Sequence, residues 1–236
     1  NRRPSPSTRV GRPIGGRGSV AEPALSTIPL FADIDAAELA ELERRTKVKR
    51  YRKRTVIIEE GDESSTLYLL LSGRAKVYVE DDAGKELVVR ELGPGDHFGE
   101  LALLGGSSRT ASVMSVEDCE VRLLSGSDFQ GALTARPQLA LHLVRNLARQ
   151  VARLTDKLRD FGLLSTYQRI TKVLVEAAVE EDRKLITPPM TQQELAEQVG
   201  CSREMVSRII GDLRAGGYLS QEGKRFVLLR RLPQRW

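Results

Sequence analysis

Apolar and polar positions along this chain change their spacing several times, and each change marks a different kind of structure. Residues 35–45, DAAELAELERR, place Leu39 and Leu42 on one face of a short amphipathic helix. From Val48 to Leu124 the pattern shortens to strand-like runs: TVIIEEG, TLYLLLSG, RAKVYVE, KELVVREL, TASVMSV and CEVRLL. Turn-forming stretches such as EEGDES, DDAGK and GPGDHFG divide them. Many short strands with this punctuation predict a β-barrel or jelly roll. Beyond it, Leu143, Leu147, Val151, Leu154, Leu158 and Phe161 recur in steps of four and three, a narrow seam of coiled-coil type. Such a seam faces another helix in a parallel homodimer, or packs on the chain's own barrel.

The last third returns to helical spacing. In TQQELAEQVG, Thr191 and Glu194 form a capping box, Leu195, Ala196 and Val199 make an apolar face, and Gly200 ends the helix. In GCSREMVSRIIGDL, Ser202 stands at an N-cap position, and Val206, Ile209, Ile210 and Leu213 form the next buried stripe. Two short helices joined by a glycine turn predict a helix-turn-helix. Ser202, Arg203, Glu204, Ser207 and Arg208 then lie at the outer start of the second helix, where arginine can donate to guanine and glutamate can accept from cytosine. The plainer reading is a solvated charged face. The following GGYLSQEGKRFVLL predicts a hairpin with a basic tip at Lys224 and Arg225, a wing set to meet DNA phosphates.

Between strand runs, FGELALLGGSSRTAS (residues 98–112) breaks the alternation. Gly99 permits a tight turn, Glu100 to Leu104 fit one helical turn, and Arg109 and Thr110 follow a loop of small residues. Helix amides beside an arginine predict an anion site, with Glu100 suited to accept from a sugar hydroxyl. An ion pair between Glu100 and Arg109 is the structural alternative.

Composition narrows the classes. The 236 residues carry a net charge of +5, which favours an anionic partner. Part of that excess, Arg2, Arg3, Arg9, Arg12 and Arg17, sits among Pro, Gly and Ser in a segment expected to be a disordered arm. Its GRPIGGRG follows no strand, so it is not a phosphate-binding fingerprint. The chain shows no membrane-length apolar run and no secretory h-region, so no membrane partner and a cytoplasmic location are expected. Cys119 and Cys201 are far apart, and His97 and His142 lack partners at ligand spacing, so no metal or haem site is expected. Cys119 reads as a core thiol, and His97 as solvated or hydrogen-bonded. Cys201, next to Arg203 at a helix start, is either a redox-sensitive thiol of lowered pKa or a small residue filling the turn. No general base or metal cluster accompanies Glu100 and Arg109, which argues against an enzyme.

FGELALLGGSSRTAS resembles the phosphate-binding cassette of cyclic-nucleotide-binding domains. TQQELAEQVGCSREMVSRII resembles the DNA-reading motif of the Crp–Fnr family of bacterial transcription regulators, and the similarity runs from about Leu25 to Leu229. The resemblance implies an α+β chain with an N-terminal double-stranded β-helix or jelly-roll barrel binding a cyclic nucleotide, a long dimerisation helix and a C-terminal winged helix-turn-helix. The expected bounds are an arm over 1–24, the barrel over 25–137, the dimerisation helix over 138–161 and the DNA-binding domain over 162–236. It further implies cyclic AMP as an allosteric ligand with no obligatory cofactor. Glu100 would hold the ribose 2′-hydroxyl, Arg109 and Thr110 the cyclic phosphate, and Gly99, Leu101 and Ala102 the backbone approaching it. Leu154 and Thr155 occupy the place of a Thr-Ser pair that reaches the adenine in cyclic-AMP-responsive members. Arg203, Glu204 and Arg208 match the base readers of a palindromic TGTGA-like operator. The implied partners are double-stranded DNA, a second copy of the chain and RNA polymerase. The alternative is a regulator of the same fold with weak or no cyclic AMP dependence, answering another signal such as oxidation of Cys201 or Cys119.

Overall fold

The computed structural model describes residues 25–233, so the arm expected over 1–24 lies outside the described residues. The described chain divides into two compact units, residues 25–79 with 89–150, and residues 80–88 with 151–233. It begins with two short 3-10 turns, Leu25–Thr27 and Pro29–Phe31, and helix α1, Ala36–Arg44. The Asp35 side chain caps α1 by accepting from the amides of Ala37 and Glu38, each at 3.0 Å.

Eight strands follow: β1 Lys47–Tyr51, β2 Val56–Ile58, β3 Thr66–Ser72, β4 Ala75–Glu80, β5 Glu86–Leu92, β6 His97–Phe98, and, after helix α2 Glu100–Gly105, β7 Ser112–Ser115 and β8 Cys119–Ser125. They form two four-stranded sheets, ordered β1-β8-β3-β6 and β2-β7-β4-β5. The expected barrel is therefore a jelly-roll sandwich of two sheets and not one closed hydrogen-bonded ring. Strand β3 explains why TLYLLLS is nearly all apolar, because both of its faces are covered. Leu67, Leu69 and Leu71 pack outward with Leu39, Leu42, Leu103 and Phe129. Leu70 turns the other way, into a core with Tyr51, Leu92, Phe98 and Val121.

Helix α3, Gly126–Ala135, leads to the long helix α4, Pro137–Leu163, which at about 1.5 Å per residue is roughly 40 Å long. Gly162 lies within this helix.

The second unit adds α5 Thr166–Ala177, β9 Val179–Glu181, β10 Lys184–Ile186, α6 Gln192–Val199, α7 Arg203–Ala215, β11 Leu219–Glu222 and β12 Arg225–Leu228. Its sheet runs β11-β12-β10-β9. Ile170, Leu174, Leu195, Val206, Ile210, Leu213 and Phe226 form its core. The wing strands extend farther than their apolar runs, leaving only Gly223 and Lys224 at the tip.

Two strands and one hairpin had no clear signal in the apolar pattern. β1 is rich in lysine and arginine because it is a sheet edge, where charge discourages pairing with other chains. Its Arg50 meets Glu120 on β8 at 2.6 Å. β6 has two residues, too few for a period. The β9–β10 turn uses Asp182 and Arg183 at φ 49° and 63°, without the glycine that flags such a turn.

Candidate ligand site and nucleic-acid interface

The cassette is built where β6 turns into α2. Gly99 makes that turn at φ +87°, and a Cβ there would lie 2.5 Å from Nη1 of Arg109 and 3.1 Å from the Thr66 carbonyl oxygen. Only glycine allows both the backbone angle and this approach. Arg109 is anchored to the β2–β3 turn through its own backbone: its amide donates to Asp62 O at 2.9 Å, and its carbonyl accepts from Gly61 at 2.8 Å.

The Arg109 side chain is 3% exposed. Its Nη1 donates to Gly99 O at 2.6 Å, and its Nη2 to Thr66 O at 2.7 Å and to Ser64 Oγ at 3.2 Å. The guanidinium carbon lies 5.6 Å from the centre of the Tyr68 ring, which stacks on Phe98 at 5.1 Å with 12° between planes. Its Nε is buried without a hydrogen-bond partner. All three acceptors are uncharged, so this cation is held by dipoles. Burial pulls the guanidinium below its ordinary value, opposed at longer range by Tyr68, Asp62 and Glu100. The predicted alternative, an ion pair with Glu100, is not formed among the described residues.

Glu100, also buried, accepts from Nε2 of Gln150 at 3.3 Å. Gln150 sits on α4, far away in sequence, and nothing in the cassette points to it. Ala102 is buried, whereas Leu101 and Thr110 are exposed. His97 corrects an expectation of a solvated or hydrogen-bonded ring: it is buried, with Nε2 unpartnered. It pairs with Leu69 and so shares the outward face of the sheet. Burial pushes its imidazole below 6.5, with Glu100 raising it, Arg90 lowering it and Asp96 raising it.

Along α4 the expected seam divides. Leu143 is buried in the chain's own core, and Leu147 is partly buried against it. This corrects the assignment of Leu143 to a dimer surface. Phe161 is also half-covered within its own unit, where a Cβ on Gly200 would come within 2.7 Å of its ring. The exposed apolar stripe is instead Val144 (59%), Val151 (62%), Leu154 (46%) and Leu158 (73%). Val144, seven residues before Val151, is the member that a count in fours and threes from Leu143 misses. Thr155 is exposed and donates its hydroxyl to Val151 O at 2.9 Å, the local bond of a helical threonine.

In the second unit, the Thr191–Glu194 capping box is present: Thr191 Oγ1 accepts from the Glu194 amide at 3.1 Å, and Glu194 Oε2 from the Thr191 amide at 2.7 Å. Gly200 closes α6 at φ 66°. Ser202 accepts from the Met205 amide at 3.2 Å, so its hydroxyl is engaged in capping α7. Val206, Ile209, Ile210 and Leu213 turn inward, while Arg203, Glu204, Ser207 and Arg208 are exposed together. Arg208 Nη2 rests on Met205 Sδ at 2.9 Å. Of the two wing cations, Lys224 is exposed at the tip. Arg225 is not free for phosphate: it donates to Glu181 Oε1 at 2.6 Å and Thr187 O at 3.0 Å, joining the wing to the neighbouring strands.

Neither thiol is activated. Cys119 is in the core, its Sγ donating to Arg74 O at 3.1 Å, and burial pushes it up. Cys201 lacks the lowered pKa of the redox reading: burial pushes it up as well, with Arg169 and Lys85 pulling the other way. No group of three or more possible metal ligands occurs among the described residues. No described helix is long and apolar enough to cross a membrane.

Residues 48–136 match the family model of the cyclic nucleotide-binding domain, and residues 168–233 that of the Crp-like helix-turn-helix domain. The cAMP-activated global transcriptional regulator CRP of Salmonella typhimurium is 31% identical over 188 residues, covering 77% of this chain and 89% of that protein. The chain belongs to the Crp–Fnr family of transcription regulators. It is a DNA-binding regulator and not an enzyme. A second family member, the cAMP-activated global transcriptional regulator Vfr of Pseudomonas aeruginosa, is 30% identical over 215 residues, 87% of this chain and 97% of that one. Among solved structures, the c-di-GMP responsive global regulator CLP of Xanthomonas campestris superposes with a TM-score of 0.75 at 28% identity, over 82% of this chain and 99% of that one.

Proposed function

We propose that this regulator works as a homodimer on a two-fold-symmetric operator with TGTGA-like half-sites, and that its cassette binds cyclic AMP to modulate that activity. The observation that carries the ligand reading is Arg109, a nearly fully buried guanidinium with only uncharged acceptors and an unpartnered Nε. A desolvated cation without a counter-charge is costly, and a bound phosphate monoanion supplies the missing charge. Glu100 beside it accepts hydrogen bonds, as a ribose hydroxyl requires. Arg203, Glu204 and Arg208 on the exposed start of α7 support base reading, with Lys224 as a phosphate contact. The stripe of Val144, Val151, Leu154 and Leu158 supports the dimer.

Isothermal titration of cyclic AMP into the wild-type chain and Arg109→Gln tests the ligand reading. The variant should lose binding by at least about tenfold, the size of one charge-assisted contact. Equal binding by both proteins contradicts it.

Leu154 favours a second reading. Its side chain offers no hydrogen bond to a base, so a regulator weakly coupled to cyclic AMP, or recognising a different anionic nucleotide, fits the same cassette. The raised thiols of Cys119 and Cys201 weigh against cysteine oxidation as the signal. A ligand shifts DNA binding only by the difference in its affinity for the two states, so coupling must be measured apart from binding.

A further inference from the structure

Arg169, on the first turn of α5, belongs neither to the cassette nor to the exposed start of α7, yet four contacts converge on its side chain. Its Nε donates to Val199 O at 3.1 Å, its Nη1 to Leu164 O at 3.0 Å and its Nη2 to Thr166 Oγ1 at 3.4 Å. Its guanidinium carbon lies 4.8 Å from the centre of the Phe161 ring. Val199 is the last residue of α6, and Leu164 follows the last residue of α4. Both carbonyls belong to helix ends, where the backbone lacks acceptors' usual partners and the helix dipole favours a cation.

The ring of Phe161 completes the arrangement. It lies beside the bare Cα of Gly200, where an added Cβ would come within 2.7 Å of Cε1 and 3.0 Å of Cζ. Gly200 and the two residues after it form the turn between α6 and α7. One planar cation therefore ties together the end of the long helix, the start of α5 and the turn that leads into the base-reading helix. A lysine in its place has one ammonium and cannot span the same acceptors in a plane or lie flat on the ring.

We infer that Arg169 is a positioning residue for DNA reading, fixing the attitude at which α7 presents Arg203, Glu204 and Arg208. Base readout depends on bidentate geometry and is lost with small angular errors, whereas phosphate attraction tolerates them. Loss of Arg169 then degrades specific binding far more than non-specific binding. The inference rests on α7 being the DNA-reading helix.

The test uses the full chain and an operator selected by it from a random duplex pool, so that no half-site sequence is assumed. Anisotropy titrations at one salt concentration compare that operator with a scrambled duplex for wild type, Arg169→Met and Arg169→Lys. Arg169→Met should weaken operator binding about tenfold or more and scrambled binding by less than about twofold, with Arg169→Lys between it and wild type. A merely stabilising role moves both duplexes by the same factor, and that result overturns the inference. So does operator affinity for Arg169→Met within about twofold of wild type. Should Arg169→Met melt below the assay temperature, the operator-to-scrambled ratio of Arg169→Lys decides by the same criterion. Arg203→Ala is titrated beside them. If it keeps the wild-type preference for the operator at every base position, the reading of α7 fails, and the inference with it.

Discussion

Leu158→Ala separates the two ways in which α4 can use its apolar residues. Leu158 is 73% exposed in one chain. Fully burying a leucine contributes about 1.5–3 kcal/mol, so covering this side chain in a dimer contributes about 1–2 kcal/mol per protomer. Two-fold symmetry doubles that to about 2–4 kcal/mol, a rise of roughly thirty- to seven-hundred-fold in the dimer Kd. Leu143→Ala is the contrasting change, because Leu143 already lies in the core with Leu139, Leu103 and Phe129. It should take about 2–5 kcal/mol from unfolding stability by leaving a cavity, with little direct effect on dimerisation. Sedimentation equilibrium across a concentration series gives the dimer Kd, and denaturant unfolding gives the stability. Wild-type association by Leu158→Ala refutes the reasoning, as does a Leu143→Ala chain of full stability that fails to dimerise.

Other consequences follow from single contacts. Lys224→Ala should lower the slope of log affinity against log salt by about 0.9, the release of one counterion, and weaken all duplexes alike; an unchanged slope removes Lys224 from the interface. Gly200→Ala should destabilise the second unit by at least about 1 kcal/mol, because its φ of 66° and the Phe161 ring both oppose a Cβ, and thermal melting checks it. His97 makes stability fall as pH drops. Its folded pKa lies below the ordinary 6.5, so the unfolded chain binds the extra proton; the contribution is complete above 6.5 and is lost on descending from there to the folded value. Denaturant midpoints followed against pH should lose this slope in His97→Phe, and a His97→Phe chain that keeps the wild-type pH slope shows that this histidine does not carry the effect.

The cassette and the helix-turn-helix were legible in the sequence because their constraints are local. Gly99 needs a left-handed turn beside a guanidinium, and Thr191 with Glu194 caps a helix within four residues. What was missed depends on long-range neighbours. The lysines and arginines of β1 conceal a strand that only its pairing with β8 defines. Leu143 and Val144 are adjacent, and the sandwich beneath α4 decides which of them turns inward. Arg225 looks like a twin of Lys224 until Glu181, 44 residues away, is found to hold it. Gln150 and Arg169 carry no motif, since their partners are a side chain and backbone carbonyls brought in by folding.

The measurement that bears most directly on the account is anisotropy of a duplex carrying TGTGA, a six-base spacer and TCACA, titrated with reduced protein at fixed salt, with and without saturating cyclic AMP. The account expects binding at least about a thousandfold tighter than to a scrambled duplex, and about tenfold tighter still with the nucleotide. Equal affinity for the two duplexes, unchanged by cyclic AMP, contradicts it.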